Sequence, residues 1–215
     1  MKKILLPALF VAAMLASPAA FAQKAVSKAA KNATAAVATY KLQPQLSTLG
    51  WDGKAVTHGH NGTIQFSSGD LQVRNNMVVG GTAVVDMKTI KATDITDADN
   101  HAKFVGHMSS GDFFDAPAFP TSTFKITSVT PIAGAAADAD NATITGDMTI
   151  KGVTQKISFP AKVGVKNGVA AATGKVTIDR TKFGLKYGSK SFFDSIGDKA
   201  INDEFTLAFN VIAKQ

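Results

Sequence analysis

Residues 142–166 read ATITGDMTIKGVTQKISFPAKVGVK, and this stretch decides the fold. Ile144, Gly146, Met148 and Ile150 alternate with Thr143, Thr145, Asp147 and Thr149. After Lys151-Gly152 the alternation resumes, with Ile157, Phe159, Ala161, Val163 and Val165 on one phase and Lys156, Ser158, Lys162 and Lys166 among their neighbours. A period of two marks strands with one face in a core and the other in water. The dipeptide between the two runs predicts a tight hairpin.

The pattern extends outward in both directions. Phe205, Leu207, Phe209, Val211 and Ala213 share a face near the C-terminus, and Asn167-Gly168 marks another two-residue turn. Upstream, Met77, Val79, Gly81, Ala83, Val85 and Met87 alternate, with Val78 and Val84 out of phase. Ser68-Gly69-Asp70 and Asn75-Asn76 read as further turns. The strands predicted fall at 38–43, 47–56, 60–68, 70–75, 77–91, 121–131, 142–151, 154–166, 169–180 and 203–214, some of them continuous. The fold class is all-β: an extended antiparallel barrel of about eight strands, or a sandwich.

Two segments depart from the period. Residues 97–115 open on Asp/Asn capping candidates and place Ala102, Val105 and Met108 at helical spacing beside Phe104, which predicts a short helix ending near Ser109–Gly111. Residues 181–200 hold glycines and aromatics and read as a long loop. Each segment carries a copy of F-F-D, at Phe113-Phe114-Asp115 and at Phe192-Phe193-Asp194. Adjacent loop aromatics either plug a barrel end or line its opening.

The chain of 215 residues starts Met1-Lys2-Lys3, follows with an apolar run from Ile4 to Ala16, and reaches Ala20-Phe21-Ala22. This is the pattern of a secretory signal peptide over 1–22, with cleavage after Ala22 and a periplasmic or secreted destination. The run is too short, and too interrupted by Pro7, for a spanning anchor. Removing Lys2 and Lys3 lowers the formal net charge from +7 to +5. Residues 23–37 are an Ala/Lys-rich spacer, and the barrel domain is assigned to 38–215.

Composition excludes several classes. With no cysteine, disulfide scaffolds, thiol nucleophiles and Cys-ligated metals are absent. All basic residues but Arg74 and Arg180 are lysines, which alternate with threonines, so nucleic acid is not an expected partner. Membrane contact is expected to be peripheral at most, and a homodimer is compatible with the sequence. His58-Gly59-His60 has a spacing that could supply two metal ligands, but no carboxylate stands at a zinc-like spacing. No G-x-S-x-G, P-loop or H-E-x-x-H motif occurs. The primary expectation is a non-enzymatic binding protein without a cofactor. A metal-dependent or hydrolytic enzyme built on His58 and His60, and a solid-barrel envelope module, stand as alternatives.

Four ordered motifs point further. Met108-Ser109-Ser110-Gly111-Asp112-Phe113-Phe114-Asp115 with Phe119-Pro120-Thr121-Ser122-Thr123-Phe124, the hairpin Gly146–Thr154, Ile178-Asp179-Arg180-Thr181-Lys182-Phe183-Gly184, and Asp203-Glu204-Phe205-Thr206-Leu207 are found in sequence order. Together they resemble the signature of the YceI-like proteins over residues 38–214. The resemblance implies a lipocalin-like barrel, exported to the periplasm, that encloses the chain of an isoprenoid lipid such as a polyprenyl phosphate or an isoprenoid quinone. Lys151 stands where some members carry His.

An eight-stranded barrel has room inside for side chains or for one slender ligand. Small residues on the inward face (Gly146, Ala161, Ala172, Gly174) are expected to leave space. The expected tunnel lining is Trp51, Phe66, Val85, Phe104, Met108, Phe114, Phe124, Met148, Phe159, Ile178, Phe183 and Phe209. Arg180, Lys182 and Tyr187 are the head-group candidates.

Overall fold

The computed structural model describes residues 35–215. The expected signal peptide (1–22) and most of the expected spacer (23–37) lie outside the described residues. Nine strands form one antiparallel sheet: β1 (Ala38–Leu42), β2 (Thr48–Ala55), β3 (Gly59–Arg74), β4 (Met77–Ala92), β5 (Thr121–Pro131), β6 (Ala142–Ile150), β7 (Val153–Lys166), β8 (Val169–Asp179) and β9 (Ile201–Lys214). Among the described residues one α-helix, α1 (Ala98–Ser109), lies between β4 and β5.

The sheet closes on itself. Neighbours run β3-β2-β9-β8-β7-β6-β5-β4, and β4 pairs back with β3. β1 and β2 share one position between β3 and β9, separated by a 3-10 turn at Pro44–Leu46. The result is a closed eight-position barrel, which leaves no free sheet edge.

Turn chemistry accounts for the hairpins. Asn75 and Asn76 have φ of 52° and 58°, Lys151 and Gly152 of 47° and 75°, and Asn167 and Gly168 of 51° and 74°. Positive φ at both central residues gives a two-residue turn whose twist matches the flanking strands. On β6, Ala142, Ile144, Gly146, Met148 and Ile150 are all buried, as their period predicts.

Two local expectations need correction. Ser68-Gly69-Asp70 is not a turn: it lies inside the continuous β3. A bulge there sets Phe66 opposite Val85 but Ser68 opposite Val84. A Cβ on Gly69 would stand 2.4 Å from the Thr82 carbonyl oxygen, so the glycine marks close strand approach rather than reversal. On β4, Val78 is buried and Met77 is exposed, opposite to the phase read for the whole run. Its register slips at Val79, where Gln72 faces Gly80 but Val73 faces Val78, and again between Asp86 and Lys91. Each slip moves the inward phase, so Val78, then Ala83, Val85 and Met87, then Ile90 face the core.

The helix starts where Asp97 accepts a hydrogen bond from the Asn100 amide at 2.9 Å. It ends at Ser110, whose hydroxyl donates to the His107 carbonyl at 2.8 Å. At one end of the barrel Tyr40, Leu42, Val73, Val78, Ala170 and Ala213 are buried in a continuous cluster. At the other end α1, the segment 110–120 and the loop 180–200 gather.

Candidate functional site: an apolar cavity in the barrel

The barrel holds a cavity of about 570 Å³. Its walls come from alternating positions on the strands: Leu49 and Trp51 on β2, Ile64, Phe66 and Leu71 on β3, Ala83, Val85, Met87 and Ile90 on β4. Phe124 and Ile126 on β5, Ile144, Met148 and Ile150 on β6, Phe159 on β7, Ala172 and Val176 on β8, and Leu207, Phe209 and Val211 on β9 complete the ring. Phe104 and Met108 of α1, with Phe113 and Phe114, close it from the side of the opening. Tyr40, Leu42, Val73 and Val78 are buried beyond its far end and take no part in the lining.

Trp51 is held flat in this wall by two neighbours. Its ring is stacked on Phe104 at 6.1 Å. Gly62 faces it from β3, where a Cβ would lie 2.6 Å from the indole and 1.8 Å from the Lys91 carbonyl oxygen. Any side chain at 62 would push either the indole or β4 away. Across the interior Phe159 meets Phe124 at 5.5 Å and Phe209 at 5.6 Å, a tilted and edge-on row of rings.

The opening is polar. Lys54, Thr57, His58 and His60 from the β2–β3 hairpin, His107, Tyr187, Asp198, Lys199 and Glu204 border it. His60 Nδ1 pairs with Asp94 at 2.8 Å, and His107 Nε2 with Asp112 at 3.1 Å. Burial works to raise the Asp94 carboxyl, but hydrogen bonds from His60 and the Asn61 amide outweigh it and hold its pKa below the usual aspartate value. His107 also meets Tyr187 edge-on at 4.7 Å and Phe113 at 5.0 Å, tying α1 to the long loop. Among the described residues no three His, Cys, Asp or Glu side chains converge as a metal site.

Ten of the residues expected in the lining border the cavity: Trp51, Phe66, Val85, Phe104, Met108, Phe114, Phe124, Met148, Phe159 and Phe209. Ile178 and Phe183 do not. They are 1% and 2% exposed and pack with Leu185 and Val176 in the wall behind it. The small inward residues also behave differently from expectation. A Cβ on Gly146 would fall 2.5 Å from the Phe124 ring, and one on Gly174 would fall 3.0 Å from that of Phe209. The glycines seat aromatic rings of the neighbouring strand; they do not open space. Of the four small residues only Ala172 borders the cavity.

The head-group candidates separate as well. Tyr187 stands at the rim. Lys182 points to solvent beside Asp179, 3.7 Å away, and does not border the cavity. Arg180 touches the cavity but is 4% exposed and committed to the loop. Its guanidinium donates to the carbonyls of Leu185 at 2.6 Å, Tyr187 at 2.8 Å, Asn202 at 2.9 Å and Ile201 at 3.0 Å. Asp203 lies 3.6 Å away. Burial lowers the pKa of Arg180, against the pull of Asp203 and Asp179. Burial also acts to raise Asp203, yet hydrogen bonds from Ser189 and Ser191 and the Arg180 charge leave it below the usual range. The sequence signal for the further rim residues Lys54, His107 and Lys199 is weak, because β2, α1 and the long loop bring them to one cavity only in the fold.

Comparison with known proteins agrees with this architecture. A UPF0312 protein of Vibrio parahaemolyticus is 34% identical over 119 residues, covering 52% of this chain and 60% of its own length. A UPF0312 protein of Pseudomonas paraeruginosa is 37% identical over 93 residues, covering 40% of this chain and 46% of that protein. The matched regions thus span about half the length of these curated relatives. Among solved structures, BcnA of Burkholderia cenocepacia superposes with a TM-score of 0.62 at 19% identity, covering 80% of this chain and 99% of that one. A polyisoprenoid binding domain from Saccharophagus degradans, implicated in plant cell wall breakdown, superposes with a TM-score of 0.55 at 16% identity, over 81% of this chain and 97% of that one. The YceI-like domain profile matches residues 40–213, and the chain belongs to that family.

Proposed function

We propose that this protein is an exported, non-enzymatic carrier or store for an isoprenoid lipid, a polyprenyl phosphate or an isoprenoid quinone, whose chain occupies the barrel. The observation that carries the reading is the 570 Å³ cavity with aromatic and aliphatic walls and a polar rim. Its size falls in the range of about 300–1,000 Å³ typical of small-molecule sites. Each five-carbon unit moved from water into such walls is worth about 3–4 kcal/mol gross, before the cost of ordering the chain. The rim needs only to orient a head group, and of Arg180, Lys182 and Tyr187 it is Tyr187 that borders the cavity with an exposed side chain. The relative from Saccharophagus degradans, described as a polyisoprenoid binding domain, supports the class of ligand. The leader-like first 22 residues support a periplasmic or secreted site of action.

Native mass spectrometry of the protein purified from its own membrane-containing lysate tests the reading. The expected result is an adduct that releases an isoprenoid on extraction, together with a mature chain beginning at Gln23. Trp51 is the chain's single tryptophan and lies in the cavity wall, so added quinone should quench its fluorescence in a saturable way. A clean apo mass with no extractable lipid and no quenching would sink the proposal.

A further inference from the structure

The second F-F-D copy has no place in the cavity. Phe192 and Phe193 are 46% and 50% exposed, and no other phenylalanine among the described residues is as open. They are not held loosely. Both of their amides donate to the Ser189 carbonyl, at 3.2 and 3.0 Å, and Ser189 itself is fully buried. The Ser191 hydroxyl donates to Asp203, and Arg180 fastens the loop from beneath through Leu185 and Tyr187. Ile201 donates to the Gly188 carbonyl at 2.7 Å, which ties the loop to the start of β9. A firmly built base therefore presents two phenyl rings to water, on the loop whose Tyr187, Asp198 and Lys199 border the cavity.

The surroundings specify the partner. Lys186 stands with its ammonium 4.5 Å from the Phe192 ring centre. Lys182, Lys190 and Lys199 belong to the same loop, against Asp194 and Asp198, so the segment carries a net positive charge. Exposed Tyr187 and Val56 extend the apolar surface; the Val56 amide donates a hydrogen bond of 3.0 Å to the Ala200 carbonyl, which joins it to the loop. The segment that leads into α1 is of the opposite sign, with Asp94, Asp97 and Asp99 against Lys103. Two half-exposed rings offer only about 100 Å² each, far below the roughly 800 Å² per partner of a stable protein interface. Aromatics interleaved with lysines suit the boundary between lipid head groups and acyl chains, where rings insert and ammonium groups meet anionic phosphate.

We infer that the loop 186–199 docks the barrel on an anionic phospholipid bilayer, with Phe192 and Phe193 entering the interface. The docking does not depend on which molecule fills the cavity. If the carrier reading above holds, the rim is set at the bilayer surface and an apolar ligand can pass between membrane and barrel without crossing bulk water.

Co-sedimentation with vesicles of one part phosphatidylglycerol to two parts phosphatidylcholine, at low salt, tests the inference. The protein is expected to partition onto these vesicles, to ignore pure phosphatidylcholine, and to be released by salt as the Debye length contracts. Phe192→Ser with Phe193→Ser should weaken partitioning by at least about tenfold. Lys186→Glu with Lys190→Glu should weaken it by about fivefold or more per residue, with both rings retained. Unchanged thermal melting shows that these variants are folded. Quenching of Trp51 by quinone delivered from detergent keeps the two proposals apart: the variants should retain it while losing the vesicles. No partition onto anionic vesicles, equal partition of all variants, or a concentration-dependent dimer that the phenylalanine variant abolishes would overturn the docking.

Discussion

The two F-F-D segments are the same tripeptide with opposite fates. In the first, Phe113 is 6% exposed and Phe114 faces the cavity, with Phe113 packed among His107 and Tyr187. In the second, both rings stand in water. The difference comes from what precedes each copy. The first follows the C-terminus of α1, where the amides of Phe113 and Phe114 donate to Ser110 and Met108 and fold the chain back over the barrel. The second follows Ser189, which is buried beside the Arg180-anchored base and turns the next residues outward. Local sequence is shared; the direction of the preceding backbone decides whether the aromatics serve the interior or the surface.

The sharpest way to break this comparison is to truncate one ring from each copy. Phe113→Ala should cost about 3–5 kcal/mol in a denaturant melt, the cost of an unfilled hole among packed aromatics. Phe193→Ala should change stability by no more than about 0.5 kcal/mol, because the ring leaves little packing behind. Equal costs for the two would dissolve the distinction. A smaller effect is expected at the base of the second copy. Arg180→Lys leaves one ammonium to serve four carbonyls, and should cost about 1–3 kcal/mol while raising proteolytic nicking within 186–199. If the loop stays as resistant as before, the guanidinium is not what orients it.

The smallest effect concerns pH. Asp94 and Asp203 both have pKa values held below the usual aspartate range in the folded protein. A group of this kind contributes stability that is present above its unfolded pKa of about 3.9 and lost as pH falls through the lower folded value. Asp94 and Asp203 should therefore leave melts between neutral pH and about pH 5 unchanged and contribute a progressive decline below that. Asp203→Asn should flatten part of that acid decline. A variant as acid-sensitive as the parent would place the titration elsewhere.

Much of the barrel was legible because its rules are local. Period two placed β6, β7 and β9, and Asn75-Asn76, Lys151-Gly152 and Asn167-Gly168 announced their own turns through positive φ. The phase of β4 was not legible, since each slip is set by the opposing residues of β3. Alternation also tells inward from outward but not depth: Ile178 and Phe183 point inward, and Leu185 arrives from the loop to help cover them. Arg180 looked like a free cation because its partners are carbonyls, which have no signature in sequence. Gly146 and Gly174 suggested emptiness, whereas the rings of Phe124 and Phe209 on adjacent strands fill their places.

The seam of the barrel carries a consequence in time. The position shared by β1 and β2 is bounded by β3 on one side and by β9 on the other, so that Leu49 meets Phe209 and Leu42 meets Ala213. As the chain is synthesised, seven of the eight positions can be laid down before any residue of β9 exists. Until Ile201–Lys214 arrives, the nascent sheet is an open curl with two unpaired margins and a bare apolar lining. Such a species is slow to resolve and prone to associate with its own kind. The fourteen-residue strand β9 thus closes the sheet, and a chain without it presents both margins and the apolar lining for association.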